Sequence, residues 1–491
     1  MEEEVRVRIA PSPTGVFHLG TARTALFNYL FAKSKGGQFI VRIEDTDRAR
    51  NKPEYENDIL DGLNWLGLTF DEGPVVEGPY KPYQQGKRVE IYKKYTKKLL
   101  DDKKAYPCFC SPEELEAERK TQQAAKKPPK YSGKCRNLTP EEQQALQKQG
   151  RKPAIRFKVE EINPVEFKDI IRGKVIFDPK TLGDFIIEKS DGIPTFLLAG
   201  VIDDFLMKIS HVIRGEEHIS NTPRQILLQR ALGFSTPEYA HLPLIFNKDK
   251  SKMSKRKDPV SVTHDFKEKG YLPQALVNFL ALLGWAPAGK KKDDGKMEYP
   301  EIFSLKELVE EFNLDQVQKH PAIFWRAKLD YLNSYYIRQM TVGELSKSAM
   351  PFIKNQRAIV KNKDLYLKAL ALVQTRLKKL DEIEEAIGFF FAQPDPPAEL
   401  LVPKGAQMKQ IKDILAKAKE ELAEVEFIND NMERALRSLA DRLKIKAHFV
   451  LWPIRVALTG KEASPGVFEI LLVLGKDESL KRIELAIGKL N

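Results

Sequence analysis

Cysteine is nearly absent. The 491 residues include three, too few for a disulfide framework and in keeping with a reducing compartment. Long apolar runs are missing as well: the longest, Leu276 to Trp285, is interrupted and falls short of the roughly 20 residues that a spanning helix needs. A membrane protein is therefore not expected. The first residues, Met1-Glu2-Glu3-Glu4, are acidic and lead into a charged strand pattern, so neither a signal nor a transit peptide is expected, and the expected location is cytoplasmic. Neither Gly-x-Gly-x-x-Gly nor the Walker-type glycine-lysine loop occurs, which argues against a dinucleotide enzyme and a P-loop NTPase. There is no internal repeat and no long low-complexity tract. What is present is a hydrophobic content of 42% with 9% aromatics, enough for several cores and incompatible with global disorder. The length suits about three domains. Lysine and arginine number 81 against 69 acidic residues, a net charge of +12 that favours a polyanionic partner without identifying it.

Val5, Val7 and Ile9 alternate with Arg6 and Arg8, which predicts a strand. Ala10-Pro11-Ser12-Pro13-Thr14-Gly15 can neither continue it nor begin a helix early, so it is a shaped loop. From Thr21, apolar residues Ala22, Ala25, Leu26, Tyr29 and Leu30 share one helical face, Gly36-Gly37 ends the helix, and Phe39 to Ile43 predicts a second strand. Strand, helix, strand at this spacing is a βαβ unit and the seed of a parallel sheet. Residues from about 103 to 190 read as an insertion. Its first part, 103–160, has weak periodicity and short turns, and strand-like runs return at Ile155 to Val159 and Asp184 to Ile187. A second α/β stretch runs from Thr195 through the helical Pro223 to Leu232 segment to Pro243-Leu244-Ile245-Phe246.

Beyond about residue 320 the pattern becomes helical. Tyr366, Leu370, Val373, Leu377, Leu380, Ile383 and Ile387 make one stripe; Ile411, Leu415, Ala418, Leu422 and Val425 a second; Met432, Leu436, Leu439 and Leu443 a third. The proline-rich 394–403 segment is a break between two sub-bundles. The expected division is a catalytic core over 1–320, holding the insertion, and a helical region over 321–491.

Two motifs carry chemistry. Pro11 to Thr21 lies between a strand and a helix N-terminus, where free N–H groups and a partial positive charge suit phosphate. Gly20 would let a nucleotide approach the backbone, and His18 could donate to phosphate oxygens or act only as a helix cap. The second motif, Lys250-Ser251-Lys252-Met253-Ser254-Lys255-Arg256-Lys257, places five cations among eight residues. Such a run is either a solvated loop or a means of neutralising charge on a leaving pyrophosphate.

Taken together, these motifs resemble those of a known family. His18-Leu19-Gly20-Thr21 is similar to the HIGH signature, and Lys252-Met253-Ser254-Lys255-Arg256 to the KMSKS signature, of class I aminoacyl-tRNA synthetases. Ala10 to Gly15 and Arg42-Ile43-Glu44-Asp45-Thr46-Asp47-Arg48 resemble the glutamate branch, the bacterial-type glutamyl-tRNA synthetases, in which threonine at position 21 is usual. Similarity continues through Val201 to Asp204, Val212 to His218, Lys328 to Asn333 and Arg455 to Gly460, nearly the whole chain.

The resemblance implies an α/β fold: a Rossmann-type parallel-sheet core with an inserted acceptor-end domain, then an α-helical anticodon-binding region. It implies ATP-dependent activation of L-glutamate to glutamyl-adenylate, with Mg2+ accompanying ATP, and transfer to the terminal adenosine of tRNA(Glu), with tRNA(Gln) left open. His18, Lys252 and Lys255 are the implied catalytic residues. ATP would also meet Gly20, Thr21, Met253, Ser254 and Arg256. Around the amino acid it places Arg8 on the side-chain carboxylate, Arg214 as a second carboxylate contact, Glu44 on the α-ammonium, and Ser12 and Phe196 beside them. The sequence departs from the pattern twice: Phe196 stands where members often carry tyrosine, and Gly200 where some carry asparagine.

Cys108, Cys110 and Cys135 are clustered in the insertion, and thiolates so placed suit tetrahedral zinc. Some members bind zinc here with a fourth ligand two residues after the last cysteine, a position held by Asn137, a poor ligand; Tyr131 is an unusual substitute. The alternative is a zinc-free remnant in which the thiols pack as small hydrophobes. Other readings were a glutaminyl enzyme, whose C-terminal region is β-barrel, a small-molecule nucleotidyltransferase and a basic RNA-binding module. A monomer is expected.

Overall fold

The computed structural model describes residues 4–490 apart from 252, 254–257, 259 and 292–296. The chain forms two compact units, one of Met1–Phe266 and Leu276–Arg326, the other of Lys267–Ala275 and Ala327–Asn491. Among the described residues no helix is long and apolar enough to cross a membrane.

The strands that build the first unit's sites are β1 (Arg6–Ile9), β2 (Gln38–Val41), β3 (Ala105–Cys108), β4 (Ala154–Phe157) and β5 (Val165–Asp169). They continue with β6 (Gly173–Phe177), β7 (Phe185–Glu188), β8 (His211–Gly215) and β9 (Glu238–Leu242). β1 and β2 run parallel, Arg6 opposite Gln38 and Ile9 opposite Val41, joined through helix α1 (Leu19–Ser34) as the βαβ reading expects. The helix begins two residues before the periodic pattern, at Leu19, because the His18 ring accepts from the Gly20 N–H and caps it.

β1 departs from the usual meaning of an alternating strand. All four of its residues are buried, Arg6 and Arg8 included, so the charged side faces protein rather than water. Arg6 is satisfied by Glu72 at 2.8 Å and by the Met207 carbonyl at 3.0 Å. A four-stranded sheet has the order β6-β5-β9-β8, with β8 and β9 parallel, β5 meeting β9 in parallel at Asp169 opposite Tyr239, and β5–β6 antiparallel. Ser210, just before β8, exchanges hydrogen bonds with the Arg6 backbone and so ties β1 to this sheet.

Within the insertion, β3-β4-β7 form an antiparallel sheet. Its 103–160 part is more regular than its sequence suggests. Helices Pro112–Ala124 and Pro140–Lys148 each open on a capping box, Ser111 with Glu114 and Thr139 with Glu142. Neither helix has a buried residue, which is why no apolar period marks them.

The second unit is helical. Its first stripe, read as one face, is buried throughout, but the backbone beneath it is broken into Lys363–Val373, two short 3-10 turns and Ile383–Phe391. Leu377 is extended (φ −71°, ψ 132°). The break is held from outside the stripe: Asn333 Nδ2 donates to the Lys378 carbonyl at 2.6 Å, and the Leu380 N–H to the Gly270 carbonyl at 2.9 Å. Gly270 has φ +75°, and a Cβ there would lie 2.6 Å from the backbone nitrogen of Leu380, so only glycine allows this approach. Helices Met408–Glu424 and Asn429–Arg442 bury the second and third stripes, except for Val425, which follows its helix, and Leu443, the C-cap residue. Residues on both sides of the 394–403 segment belong to one apolar cluster.

Candidate active site

The loop after β1 is closed by backbone hydrogen bonds. Pro11 accepts from Glu44 at 3.0 Å and Pro13 from Lys52 at 3.1 Å. Prolines here leave no N–H to satisfy while their carbonyls anchor the loop to the chain beyond β2. The next residues meet the chain that follows the lysine-rich motif: Leu19 N–H donates to the Val260 carbonyl at 2.8 Å, and Val262 N–H to the Phe17 carbonyl at 2.9 Å. The flanks of the two signatures are thus joined directly. Of the second signature, Met253 is buried, and its N–H donates to Ile245 at 3.3 Å. Lys252, Ser254, Lys255 and Arg256 lie outside the described residues.

His18 Nδ1 accepts from the Gly20 N–H at 2.9 Å, so in the neutral ring the proton sits on Nε2. A Cβ at Gly20 would lie 3.2 Å from that Nδ1, tight enough to move the ring. Helix α1 carries no acidic residue in its first turn, so its own sequence does not offset the partial positive charge there.

Beside this helix end is a cavity of about 420 Å³. Arg8, Ser12, Gly20, Thr21, Glu44, Phe196 and Arg214 all line it, and Thr24, Glu217 and His218 join them. A larger groove of about 720 Å³, lined by Phe31, Arg230 and Tyr239 among others, holds none of the signature residues.

The charges around the smaller cavity are already organised. Asp204 receives two parallel hydrogen bonds from Arg8, at 2.9 and 3.2 Å, and a third from Arg42 at 2.7 Å. Burial alone would raise the Asp204 pKa, but Arg8 and Arg42 outweigh it and hold the group down to about 2. Arg42, fully buried, also binds Glu44 at 3.1 Å. Glu44 nonetheless stays above the usual carboxylate range, because burial exceeds the opposing pull of Arg42 and Arg8. The surface salt bridges that charged strand residues often make are therefore not what Arg8 and Glu44 form.

Arg214 is different. It is 6% exposed, and among the described residues it has no carboxylate within ion-pair distance. Its hydrogen bonds go to neutral groups, His241 Nε2 at 3.3 Å and Thr222 Oγ1 at 2.8 Å, and its guanidinium lies 5.5 Å from the Tyr239 ring centre. Burial lowers its pKa to about 10, still charged at neutral pH. A buried cation without a counter-ion, open to a cavity, is arranged for an anionic ligand. Phe196 packs on His218 with ring centres 5.3 Å apart. Burial, reinforced by Arg214, pushes His218 down to about 4, so this wall is uncharged.

The insertion holds a second constellation. Cys110 and Cys135 sulfurs are 3.5 Å apart, and the three sulfurs lie within 4.8 Å of one another. The Tyr131 hydroxyl reaches Cys108 at 3.6 Å and Cys110 at 3.5 Å, and accepts from the Cys135 N–H at 2.8 Å. Asn137 is exposed. Arg156 Nε donates to Cys108 at 3.1 Å. Burial raises the Cys108 thiol, yet the bonds from Arg156 and Tyr131 outweigh it and bring the group below its ordinary range. The three sulfurs are close enough to share one metal ion, a donor set compatible with zinc, and the Tyr131 hydroxyl lies beside two of them.

Asp204, Arg42, Thr222, Glu217, Tyr131 and the two capping boxes had local signals of different quality. The boxes were readable in Ser111-Pro112-Glu113-Glu114 and Thr139-Pro140-Glu141-Glu142. The partners of the arginines were not, since they lie on distant elements.

Residues 4–331 match the family model described as tRNA synthetases class I (E and Q), catalytic domain, and residues 344–487 an anticodon binding domain. The chain is 45% identical over 489 residues to a glutamate–tRNA ligase of Carboxydothermus hydrogenoformans, covering 98% of this chain and 99% of that one. It is 44% identical over 487 residues to glutamate–tRNA ligase 2 of Thermoanaerobacter pseudethanolicus, covering 99% and 98%. A crystal structure of a glutamate tRNA ligase from Elizabethkingia meningosepticum in complex with its amino acid superposes with a TM-score of 0.84 at 35% identity, over 100% of both chains. With the flanks of both signatures joined at one helix end and this match over most of its length, the chain belongs to the class I tRNA synthetases of the glutamate and glutamine branch.

Proposed function

We propose that this protein is a glutamate–tRNA ligase, which activates L-glutamate with ATP and passes the glutamyl group to the 3′-terminal adenosine of tRNA(Glu). The observation that supports it most is the meeting of Arg214, a buried cation with no ion-paired carboxylate among the described residues, and the N-terminus of α1 at one cavity. The first suits the substrate's carboxylate and the second the phosphates of ATP, which brings Mg2+ with it.

In this reading the glutamate carboxylate oxygen attacks the α-phosphorus, the bond to the bridging oxygen breaks, and pyrophosphate leaves. The terminal ribose hydroxyl of tRNA then attacks the acyl carbon and AMP departs. The protein's part is orientation and charge. His18 donates from Nε2 to the phosphates, with Lys252, Lys255 and Arg256 supplying cations as pyrophosphate charge builds. Gly20 and Thr21 present the helix end; Met253 and Ser254 belong to the same nucleotide loop. Arg8, steadied by Asp204, reads the side-chain carboxylate with the nitrogen that Asp204 does not hold. Glu44, steadied by Arg42, faces the α-ammonium beside Ser12. Phe196 offers no hydroxyl, so its wall contributes shape alone.

The test is ATP–pyrophosphate exchange with tRNA present, followed by charging of separate glutamate and glutamine tRNAs. Glutamate-dependent exchange and charging of tRNA(Glu) support the reading; exchange with glutamine preferred to glutamate would overturn it. Lys255→Ala should lower exchange roughly 10²–10³-fold. Near-normal exchange would remove Lys255 from its role.

Cys108, Cys110, Cys135 and Tyr131 would hold zinc in the insertion, with the role of bracing the segment between β3 and β4 rather than acting on substrate.

A further inference from the structure

Arg214 on β8 stands opposite His241 on β9, and Asp169, at the end of β5, stands opposite Tyr239 on the other side of β9. Three neighbouring strands therefore bring an acid, an imidazole and a guanidinium into one line.

Asp169 is fixed first. Its Oδ1 accepts from the Ile171 and Arg172 N–H groups at 3.0 and 2.8 Å, and Oδ2 from the His241 N–H at 3.1 Å. Held as an acceptor, the carboxylate requires a proton on His241 Nδ1, 2.6 Å away. A neutral ring protonated at Nδ1 has its lone pair at Nε2. Two groups meet it there: Arg214 Nε at 3.3 Å and Thr222 Oγ1 at 3.0 Å. Thr222 also accepts from Arg214 Nη2 at 2.8 Å. Asp169, His241 and Thr222 have no exposure at all.

The chemistry of the partners matters. A carboxylate bound directly to Arg214 would take up part of its charge and of its donors. Neutral acceptors orient it while leaving its charge unspent. We propose that His241 and Asp169 are positioning residues for glutamate: Asp169 sets the His241 tautomer, and His241 with Thr222 aims Arg214 at the substrate carboxylate. The inference rests on the reading of the cavity as a glutamate site.

The test compares three variants of the full chain in tRNA-dependent exchange, measuring KM for glutamate and for ATP separately, with thermal unfolding as a check on folding. In His241→Asn the amide can replace Nδ1 but does not reach Arg214; in His241→Gln the longer amide places an oxygen near the Nε2 position. Asp169→Asn keeps an acceptor for the Ile171 and Arg172 N–H groups but turns a donor towards Nδ1 and the His241 N–H, driving the proton to Nε2 and against Arg214. Losing an orienting hydrogen bond to a charged group should raise KM for glutamate roughly 10- to 100-fold in His241→Asn and Asp169→Asn. His241→Gln should stay within about threefold of wild type, and KM for ATP within about twofold in all three. Equal effects of asparagine and glutamine at 241, parallel rises in both KM values, or an unchanged glutamate KM in both asparagine variants would overturn the proposal. Should His241→Asn not fold, Asp169→Asn, which keeps the ring, decides by the same criteria. If the wild type shows no glutamate-dependent exchange, the glutamate reading itself fails, and the proposal with it.

Discussion

Arg8 donates two parallel hydrogen bonds to Asp204, Nε to Oδ1 at 2.9 Å and Nη2 to Oδ2 at 3.2 Å, in a site where both side chains are nearly shielded from water. Arg214, on the same cavity, has no such partner among the described residues. The two arginines should therefore fail differently. Arg8→Gln leaves Asp204 with Arg42 alone and should destabilise the fold by about 3–5 kcal/mol, as breaking a buried pair does. It should also weaken discrimination of glutamate over glutamine at least roughly tenfold. Arg214→Gln removes a cation that makes no ion pair among the described residues, so it should change stability less while raising KM for glutamate about 100-fold. Urea unfolding alongside exchange kinetics with both amino acids checks the contrast; equal destabilisation by the two variants would contradict it.

Asp204 also sets an acid limit. Its folded pKa, about 2, lies below the ordinary 3.8, so its contribution is present above pH 4 and is lost as pH falls towards 2. The difference corresponds to about 2 kcal/mol. Wild-type stability should fall more steeply than that of Asp204→Asn between pH 4 and 2. The variant, which leaves Arg8 without its carboxylate and Arg42 with Glu44 and Asp203, should be the less stable of the two at pH 7. Denaturant midpoints across this range measure both.

The cysteine cluster predicts about one zinc per chain in protein purified without chelator. Cys135→Ser should abolish retention, and Tyr131→Phe should lower it, as expected if the phenol oxygen beside the three sulfurs is the fourth donor. Metal analysis by plasma mass spectrometry reads both. Full zinc in Tyr131→Phe would exclude the phenol as a ligand.

Gly20→Ala places a methyl group 3.2 Å from His18 Nδ1, displacing the ring that caps α1. Activation should fall roughly 10- to 100-fold through kcat, with KM for glutamate little changed, since the loss is in transition-state charge stabilisation. Single-turnover adenylate formation separates the two parameters.

Much of the local structure was readable in the residues themselves. The apolar face from Ala22 to Leu30 marked α1, and the Pro11 to Gly15 segment marked the loop before it. The Tyr366 to Ile387 stripe marked a buried face correctly but not the helix boundaries beneath it, because Asn333 and Gly270 capture the chain from elsewhere. The helices of the insertion went unread by periodicity because they bury nothing; their caps were the only local trace.

The sequence by itself determined which groups are candidates for chemistry: His18 at a helix start, the lysine-rich loop, the arginines of β1 and β8, the clustered cysteines. Side-chain type and near-neighbour spacing are local properties, and they survive in one dimension. Only the tertiary structure decided what each group is free to do. Arg8 and Arg214 are the same residue type on two buried strands, yet one meets Asp204 and the other meets His241. In a buried site the partner decides whether a charge is already neutralised or still open to a ligand, and partners are brought together by packing across the chain, not by spacing along it.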